Sequence, residues 1–340
     1  MGDRVKMAFI GLGRFAGSLA EAAKRSNRIE IAACHSRTEE KMAAFTGKYG
    51  GVAKKTYEDV MRDNGIDAVI LSTPNSFHAP QTIEAARNGK HVYVEKPMAL
   101  SVGDCRKMIS AAKEAGVILE VGHKERKMVR IRKAKELIDR GAIGSILLVE
   151  ASHSNDRATR YTSEMWQWYR KDNPGGVLCS HTVHDADNVN YLVGAVKRVT
   201  ALISKVCGKL ETDDVISAAV QFESGALGYF GGSCLTPHRK TLQINGIEGV
   251  ILVEAEGGAV YYQKKGTRSL VRQPVLPEDG SMQLRDACAE ELDEFACCIQ
   301  EGGRPETAGE EGLAAWAVTE AIIRSAESGL PVEMKNLLQA

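Results

Sequence analysis

The chain has no excess of charge of either sign and no long apolar run. Its 340 residues include 44 basic and 44 acidic side chains, so the formal net charge is zero. A neutral chain has no global field that would favour nucleic acid or an anionic membrane. No stretch approaches the roughly 20 apolar residues that span a bilayer. The first residues enter a strand-like run at once, which argues against a secretory signal.

The eight cysteines form no Cys-x-x-Cys pair and have no metal-ligand spacing. Most lie in apolar segments, where a thiol packs as a small hydrophobic group. Together with the missing secretory signal, this pattern predicts a reduced, cytoplasmic protein without a metal centre. A hydrophobic content of 44% and a charged content of 26% are typical of a globular protein, and 340 residues are enough for two domains.

The first third of the chain alternates between short apolar runs and helical patterns. Strands are predicted at residues 6–10, 29–34, 68–72, 91–95 and 117–121, with helices at 15–26, 38–49, 56–63, 78–88 and 102–115. This alternation predicts an α/β fold with a doubly wound parallel sheet, which binds ligands at the carboxyl ends of its strands. Gly11, Ser36, the segment Thr73-Pro74-Asn75 and the pair Glu95-Lys96 all fall at such ends. Four segments are therefore expected to meet in one crevice.

The pattern changes after about residue 122. A basic helix at 130–140 is followed by strand-like runs at 145–153, 197–206, 215–222, 226–232, 240–245, 249–253 and 258–263, and then by helices at 286–301 and 309–328. The short turns between these strands predict an open, mostly antiparallel sheet. We expect a dinucleotide-binding domain at 1–122 and a second α/β domain at 123–340, whose last helix is free to pack back on the first.

A Gly-x-Gly-x-x-Ala turn opens the chain. Gly11 allows a tight turn, Gly13 lets the backbone approach a pyrophosphate, and the small Ala16 allows close packing of helix on strand. The pyrophosphate is expected at the helix N-terminus, against free amide groups and the positive end of the helix dipole. The turn follows one strand and precedes another at βαβ spacing, so it predicts dinucleotide binding.

The end of the second predicted strand bears on the type of cofactor. An acid at this place favours NAD, because it binds the ribose hydroxyls, whereas a basic residue accommodates the 2′-phosphate of NADP. Here Ser36 stands in the place of the acid and Arg37 follows it. A serine hydroxyl and a guanidinium both bind phosphate, so NADP is favoured and NAD is the alternative. A different interpretation is that Ser36 caps the next helix and Arg37 is simply exposed.

Lys96 follows the apolar run at 91–94 and precedes Pro97. An ammonium at the mouth of a buried strand must be solvated or paired, and Pro97 biases Lys96 towards an extended backbone. Taken alone, Lys96 is a surface lysine at a strand end. Its place in the same domain as a nucleotide-binding turn favours a functional role.

These motifs together resemble those of the Gfo/Idh/MocA family of nicotinamide-dependent oxidoreductases. The resemblance rests on Ile-Gly-Leu-Gly at 10–13, Ser-Thr-Pro-Asn-Ser-Phe-His at 72–78, Gly-Lys-His-Val-Tyr-Val-Glu-Lys-Pro at 89–97, Gly-Gly-Val-Leu at 175–178 and the helix at 320–329. It implies a Rossmann domain followed by an α/β domain whose open sheet forms dimers or tetramers. It also implies reversible oxidation of a secondary alcohol on a sugar, a cyclitol or a related ring.

The resemblance implies a role for Lys96 as the catalytic lysine, which holds the substrate hydroxyl and transfers its proton. A free lysine has a pKa of about 10.4, and burial beside an oxidised nicotinamide is expected to lower it. As an alternative, the lysine acts only as a dipole donor to the carbonyl. His184 matches the family's catalytic histidine. The alternative is that His184 is a structural histidine without a role in catalysis. Ser180 stands where the family has an aspartate, and His181 supplies a polar group only if this segment is helical.

Residues 153–170 are expected to cover the substrate. Arg157 and Arg160 are suited to a carboxylate and Trp166 to a ring face, although a solvated charged loop has the same composition. The predicted substrate is an oxygenated ring, with a sugar acid or a dihydrodiol carboxylate as examples. The full set of predicted substrate residues is His123, Arg126, Arg157, Arg160, Trp166, Ser180, His181 and His184.

The predicted cofactor residues are Gly11, Leu12, Gly13, Arg14, Phe15, Ala16, Ser36, Arg37, Ser72, Thr73, Pro74, Asn75, His78, Glu95, Lys96 and Arg170, and the catalytic candidates are Lys96, His184 and His181. Two other functions stay open. One is a lyase or glycosidase that uses nicotinamide transiently, and the other is a nucleotide-sensing regulator without catalysis. The expected partner is a small molecule, with no nucleic acid or membrane, in a homodimer or homotetramer.

Overall fold

The computed structural model describes residues 4–208, 210–275 and 284–339, apart from the side chains at 177–180, 257, 284 and 285. These residues form two compact units. The first contains residues 4–124 and 284–313, and the second contains residues 125–275 and 314–339. The first unit therefore combines the predicted dinucleotide-binding segment with a second segment from late in the chain. None of the helices within the described ranges is both long enough and apolar enough to cross a membrane.

The first unit is built on a parallel sheet. Its described strands are β1 (Val5–Ile10), β2 (Ile29–His35), β3 (Val52–Ala53), β4 (Ala68–Leu71), β5 (His91–Val94) and β6 (Leu119–Val121), in the order β3-β2-β1-β4-β5-β6. Its helices are α1 (Arg14–Ala23), α2 (Glu39–Tyr49), α3 (Tyr57–Met61), α4 (His78–Arg87), α5 (Val102–Ala115) and α8 (Leu284–Glu301). Every described pairing in this sheet is parallel. The predicted doubly wound α/β fold is confirmed.

Local sequence explains these boundaries. All four residues of β4 are buried, as expected for a strand covered on both faces. Helix α5 begins where the Ser101 hydroxyl accepts a hydrogen bond from the Asp104 amide, and it ends at Gly116, which adopts the left-handed conformation.

Burial raises the pKa of the Cys34 thiol to about 11, so this thiol in the core of the first unit stays protonated.

The second unit carries a mixed but mostly antiparallel sheet. Its described strands are β7 (Ile146–Ser154), β8 (Val196–Ser204), β9 (Val215–Phe222), β10 (Leu227–Ser233), β11 (Arg239–Gly246), β12 (Gly249–Glu254), β13 (Ala259–Lys264), β14 (Val271–Gln273) and β15 (Val332–Glu333). Their order is β14-β13-β12-β11-β7-β10-β9-β8-β15, and β10 with β7 is the parallel pair among them. The helices are α6 (Val129–Asp139), α7 (Gly176–Leu192), α9 (Gly309–Ser328) and α10 (Met334–Gln339), with the first turn of α9 in the first unit.

The two faces of this sheet differ. Helix α6 contacts β12 and β13, and α7 contacts β7 and β10. Burial alternates along β9 and β10, as expected where one face of a sheet packs and the other is open. The open face carries large apolar side chains, including Leu202, which is 76% exposed, and Leu227, which is 56% exposed. The predicted open, mostly antiparallel sheet is therefore confirmed.

Candidate active site

The Gly-rich turn after β1 fits a nucleotide pyrophosphate. Gly11 has a φ of +84°, and a Cβ there would lie 2.8 Å from the Thr73 backbone nitrogen, so a side chain is excluded. Gly13 has open space where its Cβ would be, and it caps α1 without any side-chain hydrogen bond. No acid lies in the first turn of α1. The amide groups at this helix end are therefore suited to an anion.

Hydrogen bonds join the strand ends that the sequence predicted to converge. The Gly11 amide donates to the His35 carbonyl at 3.0 Å, which ties β1 to β2. The Ser72 hydroxyl donates to the Gly11 carbonyl at 2.6 Å, which ties β4 to β1. Because neighbouring parallel strands end on the same edge, these bonds hold three of the predicted segments in a single row.

His78 braces two of these strand ends. Its Nδ1 lies 2.8 Å from the Pro97 carbonyl oxygen and its Nε2 lies 2.9 Å from the Thr73 carbonyl oxygen. The ring is buried, and this burial lowers the pKa of His78 while the two carbonyls oppose the shift. Both ring nitrogens are thus directed at the protein backbone. The structure gives His78 the geometry of a spacer between the ends of β4 and β5.

Asn75 offers a polar group towards a ligand. Its side chain is buried, and its Nδ2 atom has no hydrogen-bond partner among the described residues. A buried amide without an acceptor is costly unless a ligand or water supplies one. Asn75 begins a short 3₁₀ turn in the loop that follows β4, the strand whose end is tied to Gly11 through Ser72. The open glycine turn and this amide together are suited to a dinucleotide.

The end of β2 leaves Arg37 exposed. Helix α2 begins at Glu39, and its N-cap residue is Thr38 rather than Ser36. The alternative in which Ser36 caps this helix is therefore wrong. The β3 segment lies beside β2, and the His35 Nδ1 atom is 3.0 Å from the Lys54 carbonyl oxygen, which fixes the course of the chain next to Ser36.

Lys96 follows β5 as predicted, and its side chain is half-buried. The Lys96–Pro97 peptide bond is cis. The neighbouring Glu95 is buried, and its Oε1 lies 3.9 Å from the Lys124 Nζ. This ammonium also lies 4.3 Å from the centroid of the Phe15 ring, a cation–π contact with the Gly-rich turn. A buried ion pair thus lies between the strand that precedes Lys96 and the turn suited to the pyrophosphate.

In the second unit, the segment at 176–192 is one helix, α7. His181 and His184 are three residues apart and therefore lie on the same side of it. The helical start that His181 requires is thus present. Both imidazoles are buried. The Ser180 side chain lies outside the described part of the chain.

Two of the predicted arginines are neutralised by carboxylates. Arg126 binds Asp187 of α7 through its Nε and Nη2 atoms at 2.6 to 3.0 Å, and both side chains are buried. Arg170 lies 3.3 Å from an Asp213 oxygen. The buried bidentate pair of Arg126 with Asp187 fixes both side chains, and it leaves little of the Arg126 charge for a ligand.

Arg157 and Arg160, the other two arginines of the predicted substrate set, differ from one another. Arg160 pairs with Asp156 at 3.3 Å on the surface. Arg157 instead places its Nη1 2.8 Å from the Nε2 of His181, and its backbone amide donates to the Asn155 side chain at 3.0 Å. Arg157 has no carboxylate partner within the described ranges. Trp166 lies half-buried on a short 3₁₀ turn in the same segment.

A buried ionic network beside α7 was not predicted. The Lys240 ammonium lies 2.6 Å from a Glu125 oxygen and 3.0 Å from an Asp185 oxygen, and the other Asp185 oxygen lies 3.2 Å from the His153 Nδ1. The His153 ring packs 5.0 Å from the His181 ring. Burial disfavours a charged Glu125, but Lys240 and Arg130 outweigh burial and lower its pKa. This series of contacts from Glu125 to His153 therefore ends at His181, which is a predicted site residue.

Comparison with known proteins decides the family. Residues 5–123 match the model of an oxidoreductase family with an NAD-binding Rossmann fold, and residues 135–334 match that of the C-terminal α/β domain of the same oxidoreductase family. The chain belongs to the Gfo/Idh/MocA family. It is an oxidoreductase of this family, and its first unit carries the fold that binds a nicotinamide dinucleotide.

Several relatives of this Gfo/Idh/MocA oxidoreductase match it along almost its whole length. A 1,5-anhydro-D-fructose reductase from Ensifer adhaerens is 30% identical over 97% of this chain and 99% of its own. A myo-inositol 2-dehydrogenase from Thermotoga maritima is 28% identical over 98% of this chain and 100% of its own. The crystal structure of an aldose-aldose oxidoreductase from Caulobacter crescentus, complexed with glycerol, matches with a TM-score of 0.87 and 28% identity, over 97% of this chain and 99% of that one.

One more predicted substrate residue of this Gfo/Idh/MocA oxidoreductase, His123, lies in the interior. His123 is fully buried, so its side chain is not presented at a surface in this structure. Within the described residues there is no group of three or more His, Cys, Asp or Glu side chains arranged to hold a metal ion.

Proposed function

We propose that this protein is a nicotinamide-dependent dehydrogenase that oxidises or reduces a secondary alcohol on a sugar, cyclitol or related ring, with Lys96 as its acid–base group. The observation that supports this most directly is the row of strand ends, where a glycine turn suited to a pyrophosphate shares one edge with Lys96. Relatives of almost the same length are named for 1,5-anhydro-D-fructose and myo-inositol, both of which are ring alcohols or their ketones.

Each part of this chain has a definite task in that reaction. The N-terminus of α1 and the turn at Gly11 and Gly13 would bind the pyrophosphate, and Asn75 would donate its amide to the nucleotide. When bound, the nicotinamide supplies the acceptor or donor of a hydride. The Lys96 Nζ removes the hydroxyl proton of the substrate during oxidation and returns it to the carbonyl oxygen during reduction. Oxidation of the alcohol thus removes a hydride from carbon, which the nicotinamide accepts, and a proton from oxygen, which Lys96 accepts.

The test is a panel of sugars, cyclitols, sugar acids and dihydrodiols, followed at 340 nm with NADP and with NAD. Steady-state reduction of either cofactor by a ring alcohol is the expected result. A cofactor that co-purifies and does not turn over, while the substrate is cleaved, indicates the lyase or glycosidase alternative. Tight nucleotide binding without turnover on the whole panel indicates the regulator.

We propose NADP as the preferred cofactor. The exposed Arg37 follows Ser36 at the end of β2, and no acid stands in either position. Arg37→Ala is expected to weaken NADP by about 1–3 kcal/mol more than NAD, because a charged hydrogen bond to the 2′-phosphate is lost. Titration of both cofactors measures the difference. Equal losses would assign Arg37 to adenine stacking, and tighter binding of NAD by the unchanged protein would reverse the preference.

We propose His184 as the second proton-handling group. Imidazole titrates near neutral pH, whereas a serine hydroxyl does not transfer protons there unaided. His184→Ala is therefore expected to lower kcat strongly, by about 10²-fold or more, and Ser180→Ala only mildly. Steady-state kinetics with the best substrate of the panel compares the two. A large loss from Ser180→Ala beside a harmless His184→Ala would exchange the two roles.

We propose that a second copy of this chain covers the open face of the second sheet. Leu202 on β8 and Leu227 and Tyr229 on β10, the two strands that flank β9, are exposed on that face at 76%, 56% and 41%. An apolar patch of this kind on a flat sheet is typical of a self-complementary interface. Sedimentation of a dimer or tetramer is expected, and Tyr229→Asp should shift it towards the monomer. A monomer at all concentrations would contradict the proposal.

A further inference from the structure

Arg157 is distinguished from its neighbours by the kind of group that holds it. Arg126, Arg160 and Arg170 each pair with a carboxylate. Arg157 is held by the imidazole of His181 at 2.8 Å and has no carboxylate partner among the described residues. A guanidinium donates and never accepts, so the Nε2 atom of His181 is the acceptor in this contact. The His181 ring that binds Arg157 in this way is neutral, and the positive charge of Arg157 is left without a counterion.

The group that holds Arg157 is itself held firmly. His181 is buried on α7 and packs against His153, whose Nδ1 lies 3.2 Å from Asp185. Asp185 in turn contacts the Lys240 ammonium at 3.0 Å. A ring supported by a buried ionic network has little freedom to rotate. The network therefore fixes the direction of the hydrogen bond to Arg157.

The backbone of Arg157 is fixed from a second side. Its amide donates to the Asn155 Oδ1 at 3.0 Å, and Asn155 is buried and bonded through its own amide to the Ser233 carbonyl at 2.8 Å. Arg157 itself is exposed. An arginine whose backbone and guanidinium are each held by a hydrogen bond, and whose charge is exposed and not neutralised, has the properties of an anion receptor.

We propose that Arg157 binds a carboxylate on the substrate ring, so that this enzyme selects ring acids over the corresponding neutral rings. This inference rests on the proposed function, because it takes the helix that carries His181 and His184 as part of the substrate site. His181 is then a positioning residue that aims the guanidinium. A planar guanidinium matches a carboxylate through two parallel hydrogen bonds, which a neutral hydroxymethyl group does not form.

The experiment measures equilibrium binding by calorimetry, with saturating NADP(H), for matched pairs of ring acids and neutral rings. The pairs are D-glucuronate with D-glucose, D-galacturonate with D-galactose, and quinate with myo-inositol. In at least one pair the acid is expected to bind ten-fold or more tightly than its neutral partner. Arg157→Gln should weaken that acid by roughly 10- to 100-fold, the scale of a charged hydrogen bond. Arg157→Lys, which keeps the charge without the fork, should give an intermediate loss.

Two further variants separate this role from a general effect of charge. Arg239→Gln removes an exposed arginine that pairs with Glu254, and it should keep the preference for the acid. If Arg160→Gln abolishes the preference while Arg157→Gln does not, the assignment is overturned. It is also overturned if no acid in the panel binds more tightly than its neutral partner.

Turnover at 340 nm on the same pairs distinguishes this inference from the proposed function. Oxidation of neutral rings without any preference for the acids leaves the dehydrogenase intact and removes the role of Arg157. Tight binding of an acid that depends on Arg157, without turnover on any ring, confirms the receptor and contradicts the dehydrogenase.

Discussion

Lys96→Met is expected to lower turnover by about 10²–10⁴-fold while nucleotide affinity stays nearly unchanged, because this is the usual scale for a lost acid–base group. Methionine has a similar length and no proton to transfer. Lys96 follows β5 beside the buried Glu95, and the groups suited to the pyrophosphate lie on the turn after β1. Loss of the ammonium should therefore change kcat and not the dissociation constant of the cofactor. Stopped-flow measurement of the hydride step and a cofactor titration record the two quantities.

A matched control for this variant is Lys90→Met. Lys90 is a buried lysine of the same unit, and its ammonium donates to the Asp63 and Ile66 carbonyls at 2.7 and 2.8 Å. Its loss should lower the free energy of unfolding and leave the kcat of the folded enzyme unchanged. Unchanged turnover in Lys96→Met would remove this lysine from the mechanism. Equal loss of turnover in both variants would mean that the effect is structural.

Lys240→Met is expected to destabilise the protein by about 3–5 kcal/mol, the cost of removing one partner from a buried ionic cluster. The Lys240 ammonium lies within 3.0 Å of both Glu125 and Asp185. Without it, two buried carboxylates face each other with no cation between them. Lys265→Met is the control, because its pair with Glu248 spans 3.6 Å on the surface and is worth less than about 1 kcal/mol. Urea unfolding of both variants measures the difference.

The same pair of proteins gives a pH signature of definite sign. In the unchanged protein the pKa of Glu125 is lowered, so its contribution to stability is present above about pH 4.3, the ordinary pKa of Glu, and is lost as the pH falls below it. In Lys240→Met, Arg130 still lowers the pKa of Glu125, and we expect burial to outweigh it and to raise the pKa above that value. The deficit relative to the unchanged protein should therefore shrink between pH 7 and pH 4.5. A deficit that is constant over this range, or equal to that of Lys265→Met, would show that the network is not held by Lys240.

The sequence was most informative where structure follows from local patterns. Each apolar run predicted as a strand in the first unit is a strand, because a strand buried on both faces must be apolar throughout. The strands β3, β14 and β15 were not predicted, and each has only two or three residues, too few to show a period. Helix α7 was not predicted either. It begins at two glycines and carries His181, His184 and other polar groups that pack inside the second unit, so it lacks the apolar stripe of a surface helix.

In the candidate site, too, the sequence was informative for residues within short motifs and not for contacts between distant residues. The glycine turn and the strand-end residues were predicted because each lies within a short motif. The ionic network was not, since Glu125 and Lys240 are 115 positions apart and His153 and Asp185 are 32 apart. No periodicity or spacing within the chain reports such a contact. The catalytic roles of Lys96 and His184 stay predictions, because their chemistry is tested by kinetics.

The contacts of His78 would set how precisely Lys96, the proposed acid–base group, is placed. Its ring spans the carbonyls of Thr73 and Pro97, and Pro97 is the residue bonded directly to Lys96. A shorter side chain at residue 78 would reach one carbonyl and release the other. Since a shift of about 1 Å in a reacting group can cost 10²-fold in rate, the proposed catalysis by Lys96 would depend on an imidazole that is directed at the backbone and not at a substrate. A substitution of His78 would then lower turnover as the loss of a catalytic group does, although this side chain only sets the distance between two backbone segments.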